Sequence, residues 1–302
     1  MFPLQSAVLR TLVYANIFHY PLTLKEIHRW LIISLTKSTP QPSLQKIQKT
    51  LQTLLQVKKS YQYYYLKKYP SFIKIRQNHT HYSALKLKLA QKIANFLKKI
   101  PTIKAVLVTG NLAMKNAKKE DDIDLLIISQ KNSLWVTRLL LIVALEFAGR
   151  RRRPRDRGVV NKICPNILLD ETSLLLPLKD RNLFTAHELL QARPLFDKEN
   201  TYFQFISQNS WVRRILPNAY QSTINHLTIQ PFNRLFAKIK DLFGFLLLPL
   251  NLFAFILQFL YMFPRRTQEK VSLHYAYFHP HPKKNQIFKK YKKRLTNLGL
   301  HS

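Results

Sequence analysis

Residues 106–128 read VLVTGNLAMKNAKKEDDIDLLII. The stretch has an internal order. Residues 104–109 (KAVLVT) have the apolar, β-branched composition of a buried strand, and Gly110 punctuates them. Residues 112–117 predict a turn or two of helix. Residues 123–129 predict a second strand, apolar along nearly its whole length. Asp122 and Asp124 stand at its start. Side chains at i and i+2 of a strand share a face, so the two carboxylates point the same way, about 7 Å apart along the strand. Two carboxylates so placed can jointly hold a hard cation such as Mg²⁺. Gly110 permits a tight turn, and its amide can approach a phosphate with no Cβ in the way.

The elements around this stretch extend the pattern in both directions. Downstream, residues 133–148 predict a long apolar helix stopped by Gly149, and a basic loop, RRRRPRDRG (150–158), leads to a third strand at 162–169. Upstream, Leu4, Val8, Leu12 and Ala15 recur at helical spacing, and Pro21 ends that run. Thr23 followed three residues later by Glu26 is a capping box, opening a second helix through Ile27, Trp30 and Leu31. A third carries Leu44, Ile47, Leu51, Leu54 and Leu55 on one face. The aromatic and β-branched run YQYYYLKKYPSFIKIR (61–76) predicts a hairpin turning at 67–70. Residues 83–99 predict an amphipathic helix closed by Pro101. Residues 181–216 predict helices broken by Pro194 and Pro217, followed by an apolar segment at 243–262 and a Lys-rich tail. The expected fold class is α+β. Residues 1–77 have the three-helix-plus-hairpin order of a winged helix, 78–180 form a small mixed-sheet domain, and 181–302 are a helical region with a basic tail.

The central segment resembles the nucleotidyltransferases of the DNA polymerase β-like superfamily. That family carries a Gly followed by Gly or Ser, then roughly ten residues, then Asp-apolar-Asp-apolar. Here Gly110 is followed by Asn111, and then by Asp122, Ile123, Asp124 and Leu125. The resemblance covers about 20 residues in detail and residues 101–170 in element order. It implies two-metal chemistry in which Asp122 and Asp124 hold two Mg²⁺ ions, Gly110 and Asn111 contact the phosphates of ATP or another nucleoside triphosphate, and an acceptor hydroxyl receives the nucleotidyl group. Two departures stand out. Asn111 is bulkier than the usual Ser or Gly. The family also places a third carboxylate on the next strand, where NKICPNILLD (161–170) has Asn166 in its middle and Asp170 at its end, about 13 Å further along. Either Asp170 serves, or two carboxylates suffice, or catalysis is weakened or lost.

Composition limits the alternatives. Apolar residues make up 46% of the 302, which excludes global disorder. The single cysteine, Cys164, excludes an internal disulfide and fits a reducing cytoplasm. We read it as a small strand hydrophobe. The N-terminus carries no secretory signal pattern. Lys plus Arg total 49 against 15 Asp plus Glu, and 12 of those acids lie within residues 101–200. Carboxylates gathered inside a strongly basic chain fit a metal site set in a field that attracts polyanions. A 43–58 helix with Lys46, Lys49, Lys58 and Lys59, followed by a Tyr- and Lys-rich hairpin, fits nucleic-acid binding. The alternative function is accordingly a non-enzymatic nucleic-acid-binding regulator on a degenerate transferase fold. The pairs His79/His81 and His279/His281 have no Cys or carboxylate cluster to complete a zinc site. Residues 243–262 are uncharged and long enough to span a bilayer. Asn251 and Gln258 share a helix face, and basic residues flank both ends. A membrane contact or a core helix is therefore expected, and a span is not.

Overall fold

A computed structural model describes residues 3–33, 41–153, 156–227, 234–265, 269–278 and 283–300. The fold is mixed α+β. Near the N-terminus come α1 (Pro3–Ile17), β1 (Leu22–Thr23), α2 (Leu24–Arg29), α3 (Leu44–Gln52), β2 (Val57–Ser60) and β3 (Tyr63–Leu66). The three strands form an antiparallel sheet in the order β1-β3-β2. The capping box is formed as its spacing predicts: Thr23 Oγ1 accepts from the Glu26 amide, and the Glu26 carboxylate accepts from the Thr23 amide at 2.8 Å.

The hairpin turns earlier than expected. Tyr61, at φ 52°, takes the turn between β2 and β3, and residues 67–70 instead lead into α4 (Phe72–Leu97). The alternation in FIKIR that reads as a strand is one flank of that helix. Arg76 is drawn inward to Glu26 and to the Pro21 carbonyl, which favours the helical placement. The boundary expected between residues 77 and 78 falls inside α4.

The central sheet follows: β4 (Ile103–Val108), the single turn α5 (Gly110–Ala113), β5 (Ile123–Ser129), α6 (Leu134–Phe147) and β6 (Ile163–Asp170). Next come α7 (Leu183–Gln191), β7 (Arg193–Asp197), α8 (Thr201–Gln208), α9 (Pro217–Asn225), α10 (Arg234–Met262), β8 (Lys270–Val271), β9 (Tyr275–Tyr277) and α11 (Lys283–Thr296). The order across the sheet is β7-β4-β5-β6-β9-β8, and β5 and β6 pair in parallel, joined by the crossover helix α6.

Residues 181–216, expected to be helical, contain β7, which pairs antiparallel with β4. Pro194 marks an edge strand there rather than a helix break, since a proline cannot donate to a second neighbour. The basic tail is not loose either. α11 packs on α1, with Tyr291 edge-on to Tyr14 and Leu295 buried.

Strand alternation divides the sheet between two cores. Val106, Val108, Leu125 and Ile127 face α4, α6 and α10, and Leu107, Leu126 and Ile128 face α7, α8 and α9.

One buried ion pair ties α2 to α4. The Arg76 guanidinium lies 2.7 Å from Glu26 Oε1 and stacks over the Tyr20 and Tyr63 rings. Burial opposes ionisation of Glu26, but Arg76 and the Thr23 amide and hydroxyl outweigh it and hold the carboxyl below its usual range. Arg76→Met should cost roughly 2–3 kcal/mol in chemical denaturation, less than for a fully dry pair because Glu26 keeps some solvent. A lowered folded-state pKa contributes stability that is present at neutral pH and lost on acidification. The gap between wild type and variant should therefore narrow below about pH 4.

Candidate functional site

The site is built where β4 ends and β5 begins. Thr109 donates its amide to the Asp124 carbonyl at 3.0 Å, closing the two strands just before the turn. Gly110 follows with φ +61°, a conformation that L side chains rarely adopt, and a Cβ there would stand 3.2 Å from Asp124 Oδ2. The glycine is thus required both for the turn and for the room it leaves the carboxylate.

Because Ile123, Leu125 and Ile127 face one core, Asp122 and Asp124 face the other side, toward α7. Asp122, Asp124 and Cys164 bring their ligating atoms within 4.8 Å of one another. Asp122 pairs with Arg152, whose amide also donates to the Ile163 carbonyl at 3.0 Å. The basic loop therefore contributes one defined guanidinium to the site. Residues 154–155 of that loop lie outside the described residues. The approach to Asp122 is also fixed from below: Lys86 Nζ donates to the Asp121 carbonyl at 2.6 Å and to Asn161 Oδ1 at 2.8 Å.

Charge crowding shows in the protonation of the cluster. Burial, then the neighbouring Asp122, pushes the Asp124 carboxyl up to about 7, with Arg152 opposing. Burial and Asp124 push the Cys164 thiol up to about 12. Cys164 therefore stands beside the carboxylates as a neutral thiol. Two carboxylates with a neutral neighbour fit one hard divalent cation completed by ligand oxygens. A thiol held protonated is no ligand for Mg²⁺.

Gly110, Asp122 and Asp124 lie close together. Asn111 sits on the same turn, exposed, with its amide 3.3 Å from Asp121 Oδ2. The expected third-carboxylate position needs correction. In the parallel register Cys164, not Asn166, lies opposite Asp124. Asn166 is the extra residue of a bulge: Leu125 pairs with Pro165 and Leu126 with Ile167. Asp170 lies at the far end of β6, fully buried, accepting from the Thr172 and Asn132 amides and contacting His274 Nδ1 at 2.7 Å. It organises loops there. His79 Nδ1 contacts Asn116 Oδ1 at 2.8 Å, and His279 and His281 lie outside the described residues.

One residue of this region carried no signal in the sequence. Glu188, half-buried on α7, lines a cavity of about 370 Å³ together with Thr109, Leu126, Leu169 and Tyr277. It also lines a smaller one of about 70 Å³ with Gly110 and Asn111. Burial, and the charge of Asp124, raise its carboxyl to about 7. It thus adds a carboxyl that feels the charge of Asp124, from a helix rather than from the adjoining strand. No family model, curated protein or solved structure matches the chain.

Two measurements test this geometry. Gly110→Ala should lower stability by about 1–2 kcal/mol, from backbone strain alone. Gly158→Ala, where an added Cβ meets nothing, should stay within about 0.5 kcal/mol. With a pKa of about 12, Cys164 has on the order of one thiolate in ten thousand at pH 8. Iodoacetamide should alkylate the native protein far more slowly than the denatured chain, and equal rates would contradict the burial.

Proposed function

We propose that the chain is a nucleotidyltransferase of the DNA polymerase β-like kind. It would move a nucleotidyl group from ATP or another nucleoside triphosphate to an acceptor hydroxyl with Mg²⁺. The observation that carries this reading is the pairing of Asp122 and Asp124 at the start of β5 with a left-handed Gly110 turn in which an added Cβ would crowd Asp124. The element order β4, α5, β5, α6, β6 agrees with the family's, and the order α1, β1, α2, α3, β2, β3 agrees with a winged helix.

In this reading Asp122 and Asp124 hold Mg²⁺, which when bound neutralises triphosphate charge and favours the attacking oxygen. The Gly110 and Asn111 backbone receives the phosphates. The acceptor oxygen bonds to the α-phosphorus, the bond from that phosphorus to the bridging oxygen breaks, and pyrophosphate leaves. Glu188 takes the acceptor's proton. A carboxyl raised to about 7 is matched to that task near neutral pH, and the cavity it lines is the place we assign to the acceptor. Arg152 orients Asp122.

A second reading keeps a specific observation behind it. Lys46, Lys49, Lys58 and Lys59 are all exposed on α3 and β2, as nucleic-acid binding by a winged helix requires. Mobility shifts over a range of salt concentrations distinguish the two. Binding of nucleic acid with no nucleotide chemistry would favour the regulator.

Calorimetry decides the main reading. Wild type should bind ATP in the presence of Mg²⁺, and the double variant Asp122→Asn/Asp124→Asn should bind at least tenfold more weakly. Equal affinities would overturn the proposal. With an acceptor found by labelling cell extract from α-labelled ATP, Glu188→Gln should cut turnover about a hundredfold or more while leaving Mg²⁺-ATP affinity within a few-fold.

A further inference from the structure

α10 is turned inside out relative to a helix on a soluble surface. Between Gly244 and Met262 it has no charged residue and is long enough to cross a bilayer, yet little of it is buried. Its polar side chains point into the protein. Asn251, fully buried, accepts from the Trp135 amide at 2.7 Å and the Val136 amide at 3.4 Å. Gln258 donates to the Trp135 carbonyl at 2.8 Å and accepts from Arg138. Its large apolar side chains point away: Phe245, Leu246, Phe253, Ile256, Leu257 and Leu260 are all exposed, on one half of the helical cylinder. Leu139, Leu140 and Val143 of α6 are exposed as well, and Phe147 at its end is 87% exposed. An apolar face of this extent is far from the scattered hydrophobes of an ordinary surface.

Charge identifies the occupant. In sequence, Lys238, Lys240 and Asp241 precede the apolar segment, and Arg265, Arg266, Glu269 and Lys270 follow it, so both flanks are net positive in a chain of net charge +34. A second copy seated on this face would bring like charges together, whereas an anionic surface neutralises them. Passage through a bilayer is disfavoured because Asn251 and Gln258 are bonded to α6, which itself packs on the central sheet. Only the outer half of α10 is free to meet lipid. We infer that the chain docks on the surface of a bilayer containing anionic phospholipid, with the outer face of α10 immersed at the boundary between headgroups and acyl chains. The polar groups of α10 stay on α6, and the chain's net positive charge is neutralised by the lipid phosphates.

The full-length chain should co-sediment with phosphatidylcholine vesicles containing phosphatidylglycerol. Binding should be at least tenfold weaker to phosphatidylcholine alone, and it should weaken as salt rises. Phe253→Asp/Leu257→Asp should reduce binding at least tenfold. Leu55→Asp, at another strongly exposed apolar residue, should leave it unchanged. Should the double variant fold poorly by circular dichroism, Tyr261→Trp gives an independent reading: its emission should shift blue and be quenched by brominated lipid only with anionic vesicles. Wild type that ignores both vesicle types would overturn the inference. So would binding that the double variant keeps, a dimer that forms through this face without any vesicle binding, or a C-terminal tail protected from protease across the bilayer.

Discussion

Two like charges held side by side are the constraint around which the centre of the molecule is arranged. With ligating oxygens no more than 4.8 Å apart, ionised Asp122 and Asp124 repel by at least about 3.5 kcal/mol at an effective dielectric constant near 20. Several local features answer that cost. Arg152 closes on Asp122, Asp124 is pushed toward its neutral form, and the residue opposite it in β6 is a thiol rather than a third acid. A carboxylate at position 164 would raise the repulsion again unless a cation accompanied it. The cysteine and the arginine therefore belong together as one solution to crowding on a strand that cannot spread its side chains apart.

The same corner is braced from the N-terminal side. The Tyr20 hydroxyl donates to the Met114 carbonyl at 2.7 Å, and Asn116 Nδ2 donates to the Phe18 carbonyl at 2.9 Å. Met114 and Asn116 directly follow the Gly110 turn, so α1 and the segment after it hold that turn in place. α11 in turn covers α1, burying Ile287, Tyr291 and Leu295 in the same core. The first and last helices of the chain therefore reach the Gly110 turn through one continuous set of contacts. A perturbation of α11 would be felt there without touching an aspartate.

The sequence made some of this legible and hid the rest for identifiable reasons. β4, β5, α6 and β6 were readable because each is apolar and bounded by Gly or charge, and the shared face of Asp122 and Asp124 followed from strand geometry alone. The opposing residue was not readable. The bulge at Asn166 shifts the β5–β6 register, and a period of two cannot locate an inserted residue. β7 was hidden because Pro194 reads as a helix break until the strand is known to lie at an edge. Arg152 looked like any other arginine of its loop. Glu188 reaches the site only because α7 lies across that face of the sheet, a fact of tertiary packing with no local trace.

α10 shows how a correct periodicity leaves direction open. Asn251 and Gln258 do share a face, and for a soluble helix that face would meet water. The structure turns it the other way because α6 begins without a side-chain cap: the Ser133 hydroxyl donates to the Gln130 carbonyl and leaves the first-turn amides of α6 unmet. Asn251 accepts from two of those amides, supplying from α10 the cap that the sequence of α6 lacks. Once those bonds form, the rotation of α10 is set, and its aromatic and aliphatic side chains have no direction left but outward. The outward face is thus the consequence of a hydrogen-bond requirement buried on the other side of the helix.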